Sequence, residues 1–199
     1  MNFEILVATN NKHKLQEIRS ILSPHKITVY GMNDLNISSP DIEENGNSYF
    51  ENALLKAKAL QKLTTMPIIA DDSGLEILAL NNKPGLYSAR FASENGGHQN
   101  AMKLLLEELN DKDRNAQFVC DIVLVNIENK PLVFEGVVKG KIADCPEGNN
   151  GFGYDPIFIC DELNKNFALL TEQEKNSVSH RAKALKKLLT YLKLKGLAK

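Results

Sequence analysis

The chain holds few cysteines: Cys120, Cys145 and Cys160 are odd in number and widely spaced, with no Cys-x-x-Cys pair. That pattern offers neither a disulfide framework nor zinc-type ligand spacing, and reads as reduced thiols in a cytoplasmic protein. Long apolar runs are missing too. The longest, such as Ile122 to Val125, fall far short of the roughly 20 residues of a membrane span, and Glu4 interrupts the only N-terminal apolar run. Neither a membrane protein nor a secreted precursor is expected. Repeats, low-complexity stretches and linkers are absent, and so is the G-x-x-x-x-G-K-[ST] spacing of a Walker loop.

What is present is the balance of a globular protein: 199 residues, 43% hydrophobic and 25% charged, with 24 Lys+Arg against 25 Asp+Glu. Area scaling for this length buries roughly 70% of the unfolded surface, enough for a real core in one domain over residues 1–199. The near-zero net charge is unevenly spread. From Lys175 onward there are eight Lys/Arg and no acid, so the rest of the chain is acidic. A basic tail helix suits phosphate or nucleic acid, and acids gathered in a cleft suit divalent cations; a solvated helix face would look the same.

Apolar periodicity alternates strand and helix. Phe3 to Ala8 reads as a strand, followed by a helix carrying Leu15, Ile18, Ile21 and Leu22, and by a short strand at Ile27 and Val29. Residues 33–46 form a polar, acidic connection. Ser48-x-x-Glu51 has the form of a capping box opening a helix with Phe50, Ala53, Leu54, Ala57 and Leu60 on one face. A strand after Pro67 is expected to end where Asp71-Asp72-Ser73-Gly74 begins, which would set two carboxylates at its edge. A helix around Ala101 to Leu109, a long hairpin of 116–127 with 132–138, and a C-terminal helix that Ser179 could cap and Gly196 could end complete an α/β reading.

Four clusters could carry chemistry. Thr9-Asn10-Asn11-Lys12-His13-Lys14 lies where a strand gives way to a helix, so unpaired amides, a lysine and polar donors could meet a phosphate there; the same residues would serve as a helix cap. Asp71 and Asp72, with Glu43 and Glu44, supply the hard oxygens magnesium takes alongside phosphate, or are solvated acids. Gly151-Phe152-Gly153-Tyr154-Asp155-Pro156 combines backbone freedom with two rings on which a base could stack, or forms a tight turn. Ser179-His180-Arg181, with Lys175 before it, places cations in a helix's first turn, against the dipole.

In order along the chain, Leu6-Val7-Ala8-Thr9, Phe50-Glu51-Asn52-Ala53, Ala70-Asp71-Asp72-Ser73-Gly74, Pro84-Gly85-Leu86-Tyr87-Ser88-Ala89-Arg90, Gly151 to Phe158 and Ser179-His180-Arg181 resemble the inosine/xanthosine triphosphate pyrophosphatase family. The resemblance spans nearly the whole chain. It implies an elongated, two-lobed α/β fold, a central mixed β-sheet flanked by helices, a nucleotide cleft between the lobes, and a homodimer. It also implies hydrolysis of non-canonical purine nucleoside triphosphates (dITP/ITP, dXTP/XTP) to the monophosphate and pyrophosphate. By the same resemblance Thr9, Asn11 and Lys14, with Lys56, hold the triphosphate; Glu43 and Asp72 bind Mg2+; Asp72 orients or deprotonates the attacking water; and Ser73 touches substrate.

Phe152 would stack on the base, with Gly153, Tyr154 and Asp155 shaping its loop, while Lys175, His180 and Arg181 would donate to its O6. Arg181→Ala should then lower dITP turnover far more than fold stability. Asn10, Asn149 and Asn150 stand where many relatives of this family have glycine or small residues; asparagine tolerates left-handed backbone. The competing readings are a Maf-type pyrophosphatase acting on other modified nucleotides and a non-enzymatic nucleic-acid-binding module using residues 175–199. The pyrophosphatase reading implies neither stable nucleic-acid binding nor a membrane partner.

Overall fold

Alternating short strands and amphipathic helices build the order β1 (Phe3–Val7), α1 (Lys12–Leu22), β2 (Ile27–Gly31), α2 (Tyr49–Gln61), β3 (Ile68–Ile77), β4 (Lys83–Pro84), α3 (Ser88–Glu94), α4 (His98–Glu108), β5 (Asn115–Val125), β6 (Leu132–Ile142), β7 (Phe158–Cys160), β8 (Lys165–Asn166), α5 (Glu172–Val178) and α6 (His180–Leu194). The computed structural model describes residues 2–40 and 42–199. The strands form one mixed sheet in the order β2-β1-β3-β5-β6-β7-β8, with β4 beside β3. β1 runs parallel to β2 and β3, and β7 antiparallel to β6 and β8. Among the described residues no helix is long and apolar enough to cross a membrane.

The chain divides into two compact units. The first holds residues up to Asp72, Cys120–Gly136 and Arg181–Lys199; the second holds Ser73–Val119 and Val137–His180. In the first, the two-residue period of the strands sorts side chains onto two layers. Ile5 and Val7 of β1, Ile69 of β3, and Cys120, Ile122 and Leu124 of β5 pack with α1 and α6. Leu6 and Ala8, Ile68 and Ala70, and Val123 and Val125 pack instead with Ala53, Ala57 and Leu60 of α2. Helix α6 buries Leu185, Leu188 and Leu192 completely, each worth about 1.5–3 kcal/mol, while Lys186, Lys187 and Lys193 stay exposed. It ends in a Schellman motif: Gly196 (φ +71°) and Leu197 donate to the carbonyls of Lys193 and Leu192. The second unit has one core, where Leu75 and Ile77 meet Ala92, Leu105, Phe118, Phe158, Phe167 and Val178.

Three local expectations need correcting. β3 does not end at Asp71 but continues to Ile77, because both carboxylates meet cations and the polar run is tolerated inside the strand. The Ser48 box is half formed: Ser48 accepts from the Glu51 amide at 3.1 Å, but the Glu51 carboxylate takes the Asn47 amide at 2.7 Å. Helices α3 and α5 have no counterpart in the periodicity reading, for each is seven residues long and too short to show a helical repeat.

Candidate active site

Asp71 and Asp72 are neighbours in sequence, yet the pleat of β3 sends them to opposite layers. Asp71 follows Ile69 toward α1 and α6, where its Oδ2 receives Lys14 Nζ at 2.9 Å and Arg181 Nε and Nη2 at 3.2 and 2.9 Å. Arg181 Nη1 also reaches Glu17 Oε2 at 2.6 Å. Burial works to raise the Asp71 pKa, but Lys14 and Arg181 outweigh it and hold the carboxyl well below the ordinary range. Burial likewise opposes the Arg181 charge, and Asp71 and Glu17 override it upward.

Asp72 follows Ile68 and Ala70 toward α2. Its Oδ2 accepts from Asn52 Nδ2 and its Oδ1 from Lys56 Nζ, both at 3.2 Å. Lys56 also contacts Glu44 Oε2 at 3.3 Å, so one ammonium bridges two carboxylates. Asn52 Oδ1 accepts the Gly46 amide at 2.8 Å and ties the acidic connection to the helix. Burial and Glu44 raise the Asp72 pKa against Lys56 and Lys14. For Lys56, burial acts downward, but Asp72, Asp71 and Glu44 hold it above its usual value.

The other residues of the first unit are placed as follows. Asn11 caps α1, its Oδ1 taking the His13 and Lys14 amides at 2.9 and 3.2 Å, so these amides are engaged by the chain itself. Thr9 Oγ1 accepts the Asn11 amide at 3.1 Å, and Asn10 donates to Ser39 Oγ at 2.7 Å. Lys12, His13 and Glu43 are exposed; it is Glu44 whose carboxylate meets Lys56. Burial pushes the Cys120 thiol up to about 12, an inert buried cysteine.

In the second unit, Lys175 lies buried with Nζ 2.5 Å from Asp155 Oδ2 and 4.7 Å from the Phe152 ring centre. The same Asp155 oxygen accepts the Phe152 amide at 2.8 Å. Gly151 takes φ +73°, and a Cβ there would stand 2.1 Å from Asp155 Oδ2. At Gly148 a Cβ would meet the Ala168 carbonyl at 2.3 Å, so these glycines admit the chain's own atoms. Gly153 also has positive φ, and Ser73 is half-buried at the head of this unit's stretch of β3. His180 stacks on Phe118 at 4.7 Å.

Several site expectations change. Arg181 is 1% exposed and sits in an ion-pair network, not at a surface, so its removal must affect stability strongly. Tyr154 is buried and donates its hydroxyl to the Ser88 carbonyl at 2.8 Å, so it offers no stacking face. None of Asn10, Asn149 and Asn150 takes a positive φ, so no left-handed tolerance is called upon. Glu17 and Asn52 carry weight that composition and spacing did not assign. The signal for Asn52 is a carboxamide beside Ala53 on the helix's apolar face; for Glu17 it is an acid next to buried Ile18.

These features describe an α/β protein whose third strand carries a carboxylate–cation network on each of its faces. The chain belongs to the Ham1 family, whose model matches residues 5–191. It is 46% identical over 192 residues to a dITP/XTP pyrophosphatase of Thermoanaerobacter pseudethanolicus, covering 95% of this chain and 96% of the relative. The solved Ham1 protein of Staphylococcus aureus is 42% identical with a TM-score of 0.84, covering 96% of this chain and 99% of that one. A HAM1 protein from Coxiella burnetii gives 41% and 0.85, with 97% and 99% covered.

Proposed function

We propose that the chain hydrolyses non-canonical purine nucleoside triphosphates, dITP/ITP and dXTP/XTP, to the monophosphate and pyrophosphate. The observation that carries the reading is the set around Asp72: a strand carboxylate interleaved with Lys56, Asn52 and Glu44, backed by Lys14 across the strand. A polyphosphate ester needs cations for its oxygens and a carboxylate for the water, and this set supplies both.

Magnesium fits the donor chemistry. An ammonium already bridges Asp72 and Glu44, and two hard carboxylates with phosphate and water oxygens are what magnesium takes. Asp72 with an acid of the 43–44 pair would hold it, and when bound it would neutralise phosphate charge. Asp72 orients the attacking water at the α-phosphorus and accepts its proton; Lys56 and Lys14 neutralise the non-bridging and leaving oxygens. Thr9 and Asn11 shape the turn that delivers Lys14.

Base recognition falls to the Phe152, Asp155 and Lys175 group. An ammonium fixed by Asp155 beside an aromatic face donates to the O6 of hypoxanthine or xanthine, where adenine would present its own donor. A mismatch of that kind in a buried site is worth roughly 10⁴ to 10⁵ in discrimination. A homodimer acting in the cytoplasm accompanies this reading.

The test is purified protein with magnesium and a panel of dITP, XTP, dATP, dGTP and dUTP, scored for pyrophosphate and orthophosphate. Pyrophosphate from dITP and XTP, with dATP at least about 100-fold slower, is expected. Release of orthophosphate alone, or equal rates across the panel, would overturn the reading.

A further inference from the structure

The loop that carries Phe152 and Asp155 is fastened at both ends within the second unit. At its start the Asn150 amide donates to the Ala168 carbonyl and Asn150 Nδ2 to the Leu170 carbonyl, both at 3.0 Å. At its end stands Tyr154, 3% exposed, whose hydroxyl donates to the Ser88 carbonyl at 2.8 Å. Ser88 is itself a fixed post: its Oγ accepts the Leu75 amide of β3 at 2.9 Å and donates to the Gly85 carbonyl at 2.6 Å. His98, the first residue of α4, meets the ring of the same tyrosine in a T-shaped contact, with centroids 5.2 Å apart and planes at 71°. Its Nε2 would stand 3.7 Å from a Cβ on Gly153, so the same imidazole also backs the loop one residue earlier.

Packing alone does not ask for a tyrosine here. Phe118, Phe158 and Phe167 fill the same core without a polar atom, and a buried hydroxyl is costly unless it is bonded. Burial pushes the Tyr154 pKa up, so the hydroxyl keeps its proton and stays a donor. What the bond secures is the next residue. Asp155 Oδ2 accepts the Phe152 amide at 2.8 Å and meets Lys175 Nζ at 2.5 Å, so the turn, its ring and the ammonium are all set by one carboxylate. A misplacement of about 1 Å in such a site can cost about 100-fold.

We propose that Ser88 and His98 are positioning residues that clamp Tyr154, one at the hydroxyl and one at the ring, and through it hold Asp155, Lys175 and Phe152 in place for the base. The bearing on base choice rests on the pyrophosphatase reading; the clamp does not.

Tyr154→Phe deletes the hydroxyl alone, and His98→Ala the ring contact alone. Each is compared with wild type by kcat and KM for dITP and dATP with magnesium, and by amide exchange at Phe152 against a reference amide, Ile142, which donates to the Arg114 carbonyl. In Tyr154→Phe, exchange at Phe152 should quicken about five- to tenfold relative to Ile142. KM for dITP should rise about tenfold with kcat within about threefold, and the preference for dITP over dATP should drop about tenfold. His98→Ala should move the same quantities in the same direction by about two- to threefold. A role in general stability alone would quicken both amides alike and leave the preference untouched; that result, or wild-type exchange at Phe152 in Tyr154→Phe, would overturn the proposal. So would wild-type values throughout in His98→Ala, and this arm decides even where Tyr154→Phe fails to fold. Wild-type protein that releases no pyrophosphate from dITP would defeat the pyrophosphatase reading, while relative exchange at the two amides would still decide the clamp.

Discussion

One oxygen of Asp71 accepts from an ammonium and from two nitrogens of a guanidinium, while Oδ1 is buried without a hydrogen-bond partner among the described residues. Charge concentrated in this way depends on every member. Arg181→Ala would leave Asp71 and Glu17 facing a cavity, with Lys14 still paired to Asp71. Breaking a buried pair from one side costs about 3–5 kcal/mol, because the surviving charge stays desolvated. Urea unfolding at pH 7 should show a loss of that order; a loss under about 1 kcal/mol would mean the network is dispensable.

Asp121 presents the opposite electrostatics. Burial first, then Glu135 and Asp72, raise its pKa to about 6. A carboxyl whose folded pKa exceeds its unfolded value binds its proton more tightly when folded, so its unfavourable charge weighs most above pH 6 and fades as pH falls toward 4. Asp121→Asn should therefore be more stable than wild type at pH 8, and the gap should close by about pH 4. Denaturant midpoints at the two pH values measure it, and a gap that widens on acidification would contradict the assignment.

At the scale of elements, α2 and the acidic connection before it act together. Asn52 holds the Gly46 amide with its oxygen and Asp72 with its nitrogen, so the loop, helix and strand meet on one side chain. A Cβ at Gly46 would stand 2.7 Å from Asn52 Oδ1 and 2.7 Å from Glu51 Cβ. Gly46→Ala should push the connection off the helix and turn Asn52 away from Asp72. The expected outcome is a fall in kcat of about tenfold or more with a stability cost of about 1–3 kcal/mol. Steady-state kinetics alongside thermal unfolding separate the two effects; unchanged kcat would show that the loop yields without disturbing Asn52. Helix α6 carries a different lesson. Of its basic run, which alone suits a nucleic-acid surface, Lys186, Lys187 and Lys193 lie on the exposed side of a helix whose leucines complete the core of α1 and the sheet, while Arg181 is buried.

For the whole molecule, the regular elements were readable where periodicity is long. The strand at Phe3, the helices beginning at Lys12 and Tyr49, and the last helix stand where apolar spacing puts them. Short elements and the passage of β3 through two aspartates were not, because local polarity says nothing of a cation waiting in another layer. The chain by itself determined an α/β fold and its family, since hydrophobic period and ordered motifs are properties of contiguous residues. It even held the rule that Asp71 and Asp72 must part, for a strand's side chains alternate by geometry. Only the tertiary structure decided what each would meet: Arg181, 110 positions from Asp71, on one layer, and Asn52 and Lys56 on the other. Ion pairing acts through distance in space, and that distance exists only after the layers have packed.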